Sequence, residues 1–305
     1  MSINIIQMKQ FGKWGRAGNQ FFQYAFLKSY AKQFGSELQL PSWVGDQLFR
    51  TTPCPITVDL PIYNEVTVGK QNQSIPPKGD ELVGHDFRGY AQHHTSTLQP
   101  HESYIRSLFE PTPTVSRRLQ PIINNLKSPN ELVVGVHLRR GDYGRNIFPI
   151  IPTNWYLKFL EQELLVRYPN VTLFIATEDQ SLVQDFENHF PQTVDSLGLS
   201  LNSNPLDDYN YLKYETEQQD PHLMDWYPDF YLLSQCDIIL GPSSTFSFFA
   251  AMLAKPDVEY YHASLATETF ERTDPWNRYP LLREDVRDYP NLEGIAVKEN
   301  PFWKH

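Results

Sequence analysis

The chain has 305 residues, which is enough for about two domains that each bury a core. With 40% hydrophobic and 14% aromatic residues, its composition excludes a disordered or fibrous protein. The formal net charge is −10, and because this excess repels nucleic-acid phosphates, it argues against a nucleic acid as partner.

The chain is predicted to open with a strand, a glycine-containing loop and a helix. Residues 3–8 form a short β-rich run before the loop. The helix that follows, of about 15 residues, places Phe22, Phe26 and Tyr30 on one face. Gly35 is expected to end this helix as its C-cap.

A domain boundary is predicted at a polar segment that contains a proline, residues 127–130. Two helices, at residues 103–109 and 115–126, precede it. The predicted domains are an N-terminal α/β domain at residues 1–127 and a C-terminal Rossmann-like domain at residues 128–305.

Strands and helices alternate regularly after this boundary. The predicted strands are residues 132–138, 171–176 and 237–240, and the predicted helices are residues 154–168, 181–190, 229–235 and 244–254. Such alternation predicts an α/β fold with a parallel sheet that carries helices on both faces.

Polar clusters follow three of the predicted strands, at residues 137–143, 177–179 and 241–247. In open parallel sheets, ligands bind beyond the carboxyl ends of the strands, where loops and helix N-termini meet. We therefore expect the three clusters to converge in one ligand site.

Arg139 is the predicted phosphate-binding residue of the first cluster. Strand alternation places it on the same face as His137, and Arg140 on the opposite face, where it can brace the structure. A guanidinium matches the oxygens of a pyrophosphate and keeps its charge at any working pH. The alternative is a surface arginine pair with a purely structural role.

The third cluster places four hydroxyl groups around the start of a predicted helix. They belong to Ser243, Ser244, Thr245 and Ser247. Hydroxyls and unpaired amides at a helix N-terminus form an anion site. An ordinary N-cap explains one of the four.

Acidic residues give less specific signals. Glu178 and Asp179 can accept hydrogen bonds from a base or a ribose, or can cap the next helix. Asp142 is the best-placed candidate for a general base, but it can equally orient Arg139 or Arg140 through a salt bridge. Both readings of Asp142 stay open.

The N-terminal loop is a further candidate for ligand binding, through Gly15, Arg16, Gly18 and Asn19. Its glycine spacing differs from the dinucleotide-binding fingerprint, but the loop opens onto a helix and carries a basic residue. The alternative is a tight turn with Asn19 as the helix cap.

No metal site is expected. His85, His93, His94 and His101 crowd one segment, yet they show neither an i, i+4 pair with an acidic partner nor a cysteine complement.

We expect a cytoplasmic protein. Cys54 and Cys236 are too few and too far apart for a disulfide framework, which fits a reducing compartment. The first residues lack the pattern of a signal peptide, and no apolar stretch approaches the roughly 20 residues of a membrane span. Integral membrane association is therefore not expected, while peripheral association stays open.

Three motifs together resemble the α-1,2-fucosyltransferase family, glycosyltransferase family 11. They are GRAGNQFFQYA at residues 15–25, HLRRGDY at 137–143 and STFSFFAA at 244–251, with GYAQ at 89–92 resembling a further family segment. The second motif, H-x-R-R-x-D, is shared with the α-1,6- and protein-O-fucosyltransferases. Phe248 and Phe249 depart from the tryptophans usual in the family, and Ala91 departs from an aromatic residue, which leaves the choice of acceptor open.

The resemblance implies inverting transfer of L-fucose from GDP-β-L-fucose to the 2-hydroxyl of a galactose-containing glycan, without a required metal. It also implies a GT-B fold, with two Rossmann-like domains facing across a cleft, the donor in the C-terminal domain and the acceptor on the N-terminal side. Carried over to this chain, Arg139 binds the donor phosphates, His137 and Asp179 lie near guanosine, and Ser244, Thr245 and Ser247 approach the pyrophosphate.

Two other functions compete with this one. A related enzyme could use another nucleotide sugar, because residues that bind phosphate do not read the sugar. A non-catalytic carbohydrate-binding protein is the second, but it would have no need to keep Arg139, Asp142 and the hydroxyl cluster together.

Overall fold

The computed structural model describes residues 4–281, except residues 53, 69–72, 127–131, 141–142, 144–148 and 191–225. The described residues divide into two α/β units. The first contains the described residues up to Arg118 and Pro275–Leu281, and the second contains those from Leu119 to Asp274. The predicted division after residue 127 falls outside the described residues and stays a prediction.

The first unit is built on short strands. They are β1 (Ile5–Gln7), β2 (Glu37–Gln39), β3 (Ile62–Asn64), β4 (Val66–Val68), β5 (Gln73–Ile75) and β6 (Asp86–Arg88). Four of them form a parallel sheet in the order β2-β1-β6-β3, and β4 and β5 form a separate antiparallel pair. The predicted first strand is confirmed as β1, which lies next to β6 inside the sheet.

The predicted first helix is confirmed as α1 (Ala17–Phe34), and Gly35 ends it in the left-handed conformation with φ of 62°. The helix is buried on more than the predicted face because it passes through the core of the unit. Phe26 packs against Phe87 of β6 with ring centroids 5.7 Å apart, while Phe21 packs against Phe109 at 5.4 Å.

Three further helices follow along the chain. They are α2 (Gly45–Leu48), α3 (Glu102–Leu108) and α4 (Pro113–Leu126). The two helices predicted before the domain boundary are confirmed as α3 and α4.

The second unit is built on a five-stranded sheet with the order β11-β10-β9-β7-β8. Its strands are β7 (Leu132–Leu138), β8 (Val171–Thr177), β9 (Ile238–Gly241), β10 (Glu259–Ser264) and β11 (Thr269–Thr273). All pairs are parallel except β10 with β11 at the edge, which confirms the predicted parallel α/β sheet. β7 is buried from its second residue onward, as its continuous apolar run requires.

Helices connect these strands. They are α5 (Thr153–Phe159) and α6 (Leu165–Arg167), with a π-helical turn at Leu160–Leu164 between them, then α7 (Gln180–His189), α8 (Tyr227–Leu233) and α9 (Thr245–Leu253). The π turn interrupts the helix predicted over residues 154–168. Leu160 and Leu164, at the two ends of the π turn, are both fully buried in the core.

Candidate active site

The three polar clusters of the second unit lie side by side, as predicted. β7 pairs with β8 on one side, with Leu138 opposite Thr177, and with β9 on the other, with Val136 opposite Leu240. Because the three strands are parallel and in register, the residues that follow them emerge at the same edge of the sheet. This edge is the candidate active site.

Glu178 joins the first two clusters. Its carboxylate forms an ion pair with Arg139, and the two side chains are only 13% and 16% exposed. Glu178 also accepts a hydrogen bond from the backbone N–H of Arg140 at 3.0 Å. The sequence suggested that Glu178 either binds a base or a ribose or caps the next helix, and its pairing with Arg139 was missed. The available signal was an acidic residue directly after the strand next to the arginines.

Arg140 braces the strand end, as expected. Its guanidinium donates to the carbonyl oxygen of Arg139 at 3.1 Å and to the hydroxyl of Thr153, at the start of α5, at 2.9 Å. Burial lowers the pKa of Arg140, but the neighbouring Tyr156 and Asp179 act in the opposite direction. The Arg139 side chain, by contrast, pairs with the carboxylate of Glu178 at the sheet edge.

Tyr143 joins the first and third clusters, a contact that the sequence did not predict. The guanidinium carbon of Arg139 lies 5.7 Å from the centre of the Tyr143 ring. The Tyr143 hydroxyl donates to the carbonyl oxygen of Ser243 at 2.7 Å. A chain of contacts therefore connects Arg139 to the segment that begins α9.

The hydroxyl cluster divides into two groups. Ser244 is the N-cap of α9 and accepts from the backbone N–H of Phe246 at 3.3 Å, next to Ser243 and Thr245 at the helix start. Ser247 is the third residue of the helix and is fully buried. It packs so closely on the end of β9 that a Cβ at Gly241 would lie 2.5 Å from the Ser247 hydroxyl. The first three residues are positioned for an anion at the helix N-terminus, whereas Ser247 packs under the strand.

His137 is buried beneath the same edge. Its ring centroid lies 5.2 Å from that of Phe246, and its carbonyl oxygen accepts from the Tyr156 hydroxyl at 3.0 Å. Burial, assisted by the charge of Arg140, lowers the pKa of His137 to about 3. His137 is therefore neutral at physiological pH, and no described residue hydrogen-bonds its Nδ1.

The neutral His137 predicts a loss of stability in acid. Between pH 6.5 and 3 the unfolded chain binds a proton at this residue and the native protein does not, so the free energy of unfolding falls as pH falls. Each such histidine contributes a slope of about 1.4 kcal/mol per pH unit well below pH 6.5. In urea unfolding between pH 7 and 4, His137→Gln should show a shallower dependence than the wild type.

His93 offers the comparison for this experiment. Burial lowers its pKa to about 4, so His93→Gln should act in the same direction over a narrower pH range. A His137→Gln curve parallel to that of the wild type would contradict the expectation.

Asp179 caps a helix. It is the N-cap of α7, and its carboxylate accepts from the backbone N–H of Ser181 at 3.1 Å and from the Ser181 hydroxyl at 2.6 Å. This is the capping role weighed from the sequence, and a contact of Asp179 with guanosine stays a prediction. Asp142, the candidate base, lies outside the described residues.

Asp229 is a buried acidic residue that sequence reasoning missed. It lies on α8 at 4% exposure, and burial raises the pKa of its carboxyl well above the usual value. Its neighbours Trp226 and Phe230 pack around Phe246, the residue that contacts His137. The signal in the sequence was a lone acidic residue inside an otherwise apolar helix.

The candidate loop of the first unit is folded tightly onto α1. Arg16 is the N-cap residue of the helix, so the alternative in which Asn19 caps it is wrong. Gly18 and Asn19 lie in the first turn of α1, and the Asn19 side chain accepts from Gln92 at 2.7 Å. Gly15 has φ of +80°, and a Cβ there would lie 1.9 Å from the Asn19 amide nitrogen. Contacts of these residues with a ligand stay predictions.

The crowded histidines of the first unit lie in different surroundings. His85 contacts the Val83 carbonyl oxygen, His93 contacts the Ser74 hydroxyl, and His94 contacts the Ser96 hydroxyl. Within the described part of the chain, no group of three or more His, Cys, Asp and Glu residues is arranged to hold a metal ion. Among the helices that the structure describes, none is long and apolar enough to span a bilayer.

The positions that depart from the family motifs are buried. Phe248 and Phe249 are fully buried in α9, and Ala91 is 1% exposed. The two phenylalanines therefore serve packing in the second unit.

Comparison with models of known protein families finds no match to this chain. Among curated sequences, galactoside α-(1,2)-fucosyltransferase 2 of Pongo pygmaeus is 25% identical over 316 residues, which cover 95% of this chain and 80% of that protein. Galactoside 2-α-L-fucosyltransferase SEC1 of Bos taurus is 24% identical over 309 residues, which cover 93% of this chain and 72% of that protein.

Solved fucosyltransferases share the fold. Fucosyltransferase NodZ from Bradyrhizobium aligns with a TM-score of 0.53 at 13% identity, over 90% of this chain and 98% of that one. A variant of Arabidopsis thaliana FUT1 in complex with GDP aligns with a TM-score of 0.55 at 11% identity, over 91% and 75% of the two chains. These structures confirm the predicted GT-B-type α/β fold. The sequence motifs, the curated relatives and the fold therefore all show similarity to fucosyltransferases, and the curated relatives are galactoside α-1,2-fucosyltransferases.

Proposed function

We propose that the protein is an inverting galactoside α-1,2-fucosyltransferase, which transfers L-fucose from GDP-β-L-fucose to the 2-hydroxyl of a galactose-containing glycan. The observation that carries the proposal is Arg139, held by Glu178 at the sheet edge where Ser244 and Thr245 begin α9. This is the arrangement that a diphosphate leaving group needs, with a guanidinium and a helix N-terminus close to the same edge. NodZ α-1,6-fucosyltransferase, whose fold this chain shares, was solved after soaking with GDP-fucose, which supports the choice of donor.

In the proposed reaction, the bond between fucose C1 and the phosphate oxygen breaks through an oxocarbenium-like state, and GDP leaves with the bonding electrons. The acceptor oxygen forms the new bond to C1 from the opposite face and loses its proton to a base. Arg139 stabilises the charge that develops on the leaving diphosphate. His137, Ser243, Ser244, Thr245, Ser247 and Asp179 are proposed to surround the nucleotide. Gly15, Arg16, Gly18 and Asn19 of the first unit are proposed as further ligand-binding residues.

Asp142 is proposed either as the base or as a residue that orients the arginines. The pH dependence of Asp142→Asn separates the two roles. Loss of the acidic limb of the pH–rate profile, with GDP affinity unchanged, indicates the base, and a weaker affinity for GDP indicates the orienting role.

The direct test is incubation with GDP-fucose and a panel of β-galactosides, followed by linkage analysis of the product. Fucose on the 2-hydroxyl of galactose is the expected result. Calorimetry with GDP, UDP and CMP tests the donor independently, and tighter binding of UDP or CMP would indicate another nucleotide sugar. Glycan binding without affinity for any nucleotide would indicate a non-catalytic carbohydrate-binding protein.

Three further properties stay proposals. Turnover is expected to be unchanged by a chelator, because the resemblance to family 11 implies transfer without a required metal. The protein is proposed to act in the cytoplasm and to be free of integral membrane association.

A further inference from the structure

Two aromatic side chains lie together at the carboxyl edge of the sheet in the first unit. Trp14 is in the loop that follows β1, and Tyr90 is in the segment that follows β6, the parallel neighbour of β1. Their ring centroids are 5.5 Å apart with the planes inclined by 59°, and both side chains are half-buried. This is the edge of a parallel sheet at which ligands bind, and the two rings present aromatic surface there.

The Tyr90 segment is held in an unusual backbone conformation by a buried carboxylate. The side chain of Glu65 is 8% exposed and accepts from the backbone N–H groups of Tyr90 and Ala91, each at 2.8 Å. Ala91 has φ of +53°, a region that a residue with a side chain rarely adopts. The Ser74 hydroxyl donates to Glu65 as well, and His93 contacts that hydroxyl at 2.8 Å.

Backbone strain of this kind persists where the surroundings over-determine it, and it concentrates at ligand sites. Burying an acidic side chain costs free energy. The packing of one tyrosine does not require a carboxylate that holds two consecutive N–H groups. Glu65 is therefore a positioning residue for the Tyr90 ring.

The Trp14 side of the pair is fixed in the same way. Its indole N–H donates to the Gln10 side chain at 2.8 Å. The buried Gln23 side chain donates to the carbonyl oxygens of Trp14 at 3.2 Å and Gly89 at 3.0 Å, and so ties the two aromatic segments together. Both rings are thereby preorganised, which reduces the entropy lost when a ligand stacks on them.

We propose that Trp14 and Tyr90 form the stacking subsite for the galactose ring of the acceptor, an inference that rests on the proposed function. A galactopyranoside carries a face of C–H groups, which complements the electron-rich face of an aromatic ring, while its hydroxyls remain available to polar groups. Gln92, two residues after Tyr90, donates to Asn19 in the first turn of α1, and these amides are suited to recognise those hydroxyls.

The test compares acceptor and donor constants in matched variants. Trp14→Ala and Tyr90→Ala should each raise KM for lactose by about 10-fold, since ring stacking contributes up to about one decade of affinity. KM for GDP-fucose and the Kd of GDP should stay at the wild-type values. Tyr90→Phe keeps the ring and should behave as the wild type, and Glu65→Gln should raise KM for lactose only.

Phe34→Ala is the matched control. Phe34 is another half-buried aromatic residue of the first unit, packed on Tyr30 at the far end of α1 with ring centroids 4.6 Å apart. It should leave KM for lactose unchanged. Unfolding temperature and GDP binding identify a misfolded variant, and Trp14→Leu and Tyr90→Leu, which remove the ring but keep apolar volume, replace an alanine variant that fails this check.

The outcomes separate this inference from the proposed function. If the wild type transfers fucose and both alanine variants keep the wild-type KM for lactose, the stacking subsite is wrong. If the wild type neither binds GDP nor transfers fucose, the proposed function is wrong, and saturation-transfer NMR with lactose then decides the subsite. Lactose binding that is lost in Trp14→Ala supports the subsite, and equal signals or no binding overturn it.

Discussion

Replacing Arg139 by alanine is expected to lower kcat for fucosyl transfer by roughly 10²–10³-fold and to weaken GDP binding. Negative charge accumulates on the diphosphate as the sugar bond breaks, so a guanidinium at this position stabilises the transition state more than the bound donor. The partly buried surroundings of Arg139, whose side chain is 16% exposed, strengthen this effect relative to water. Steady-state kinetics with GDP-fucose, together with calorimetry of GDP, separate the two contributions.

Two variants sharpen this experiment. Arg139→Lys keeps the charge but loses the forked geometry, so its kcat should lie between those of the wild type and Arg139→Ala. Arg272→Ala removes an arginine on the edge strand β11 whose side chain is 63% exposed, and its turnover should be normal. Near-normal turnover of Arg139→Ala would refute the role assigned to this residue.

Replacing Glu178 by alanine is expected to reduce both stability and activity. The change leaves a largely buried Arg139 without its anionic partner and removes the acceptor of the Arg140 N–H. Breaking a partly buried pair of this kind costs about 2–4 kcal/mol of unfolding free energy. Arg139 also loses the side chain that positions it, so kcat should fall by roughly 10-fold or more.

Glu178→Gln and Glu110→Ala are the comparisons. The glutamine oxygen can still accept from Arg140, so this variant should lose about half as much stability as Glu178→Ala. Glu110 pairs with Arg50 at 3.7 Å, but both side chains are 58% exposed, and its removal should change the unfolding free energy by less than about 0.5 kcal/mol. Equal losses for Glu178→Ala and Glu110→Ala would show that the buried ion pair contributes nothing.

The sequence predicted three of the five strands of the second unit, because β7, β8 and β9 are largely apolar runs, whereas β10 and β11 carry charged residues and were not predicted. The apolar run of β7 predicted a buried strand, and the rule for parallel sheets then placed Arg139 at the same edge as the segments that follow β8 and β9. The partner of Arg139 could not be predicted, because pairing with Glu178 depends on which strand lies next to β7. Strand order is a tertiary property that periodicity does not encode.

The first unit was harder to predict from the sequence than the second. Its sheet strands have three residues each, too few for a period-2 pattern to stand out from the surrounding turns. The network around Glu65 joins residues that are distant in the chain, and the left-handed conformation of Ala91 has no local signal, since alanine does not favour it. The start of α1 at Ala17 was also hidden, because glycine next to asparagine normally indicates a turn.

The place of β7 in the sheet has a consequence for the integrity of the active site. β7 is hydrogen-bonded to β9 on one side and to β8 on the other, so its backbone cannot open locally as an edge strand does. The arginine at its end consequently shares the cooperative unfolding of the whole sheet. Heating should therefore unfold the sheet and abolish GDP binding in a single transition. No intermediate should keep the sheet while the phosphate-binding arginine is out of place.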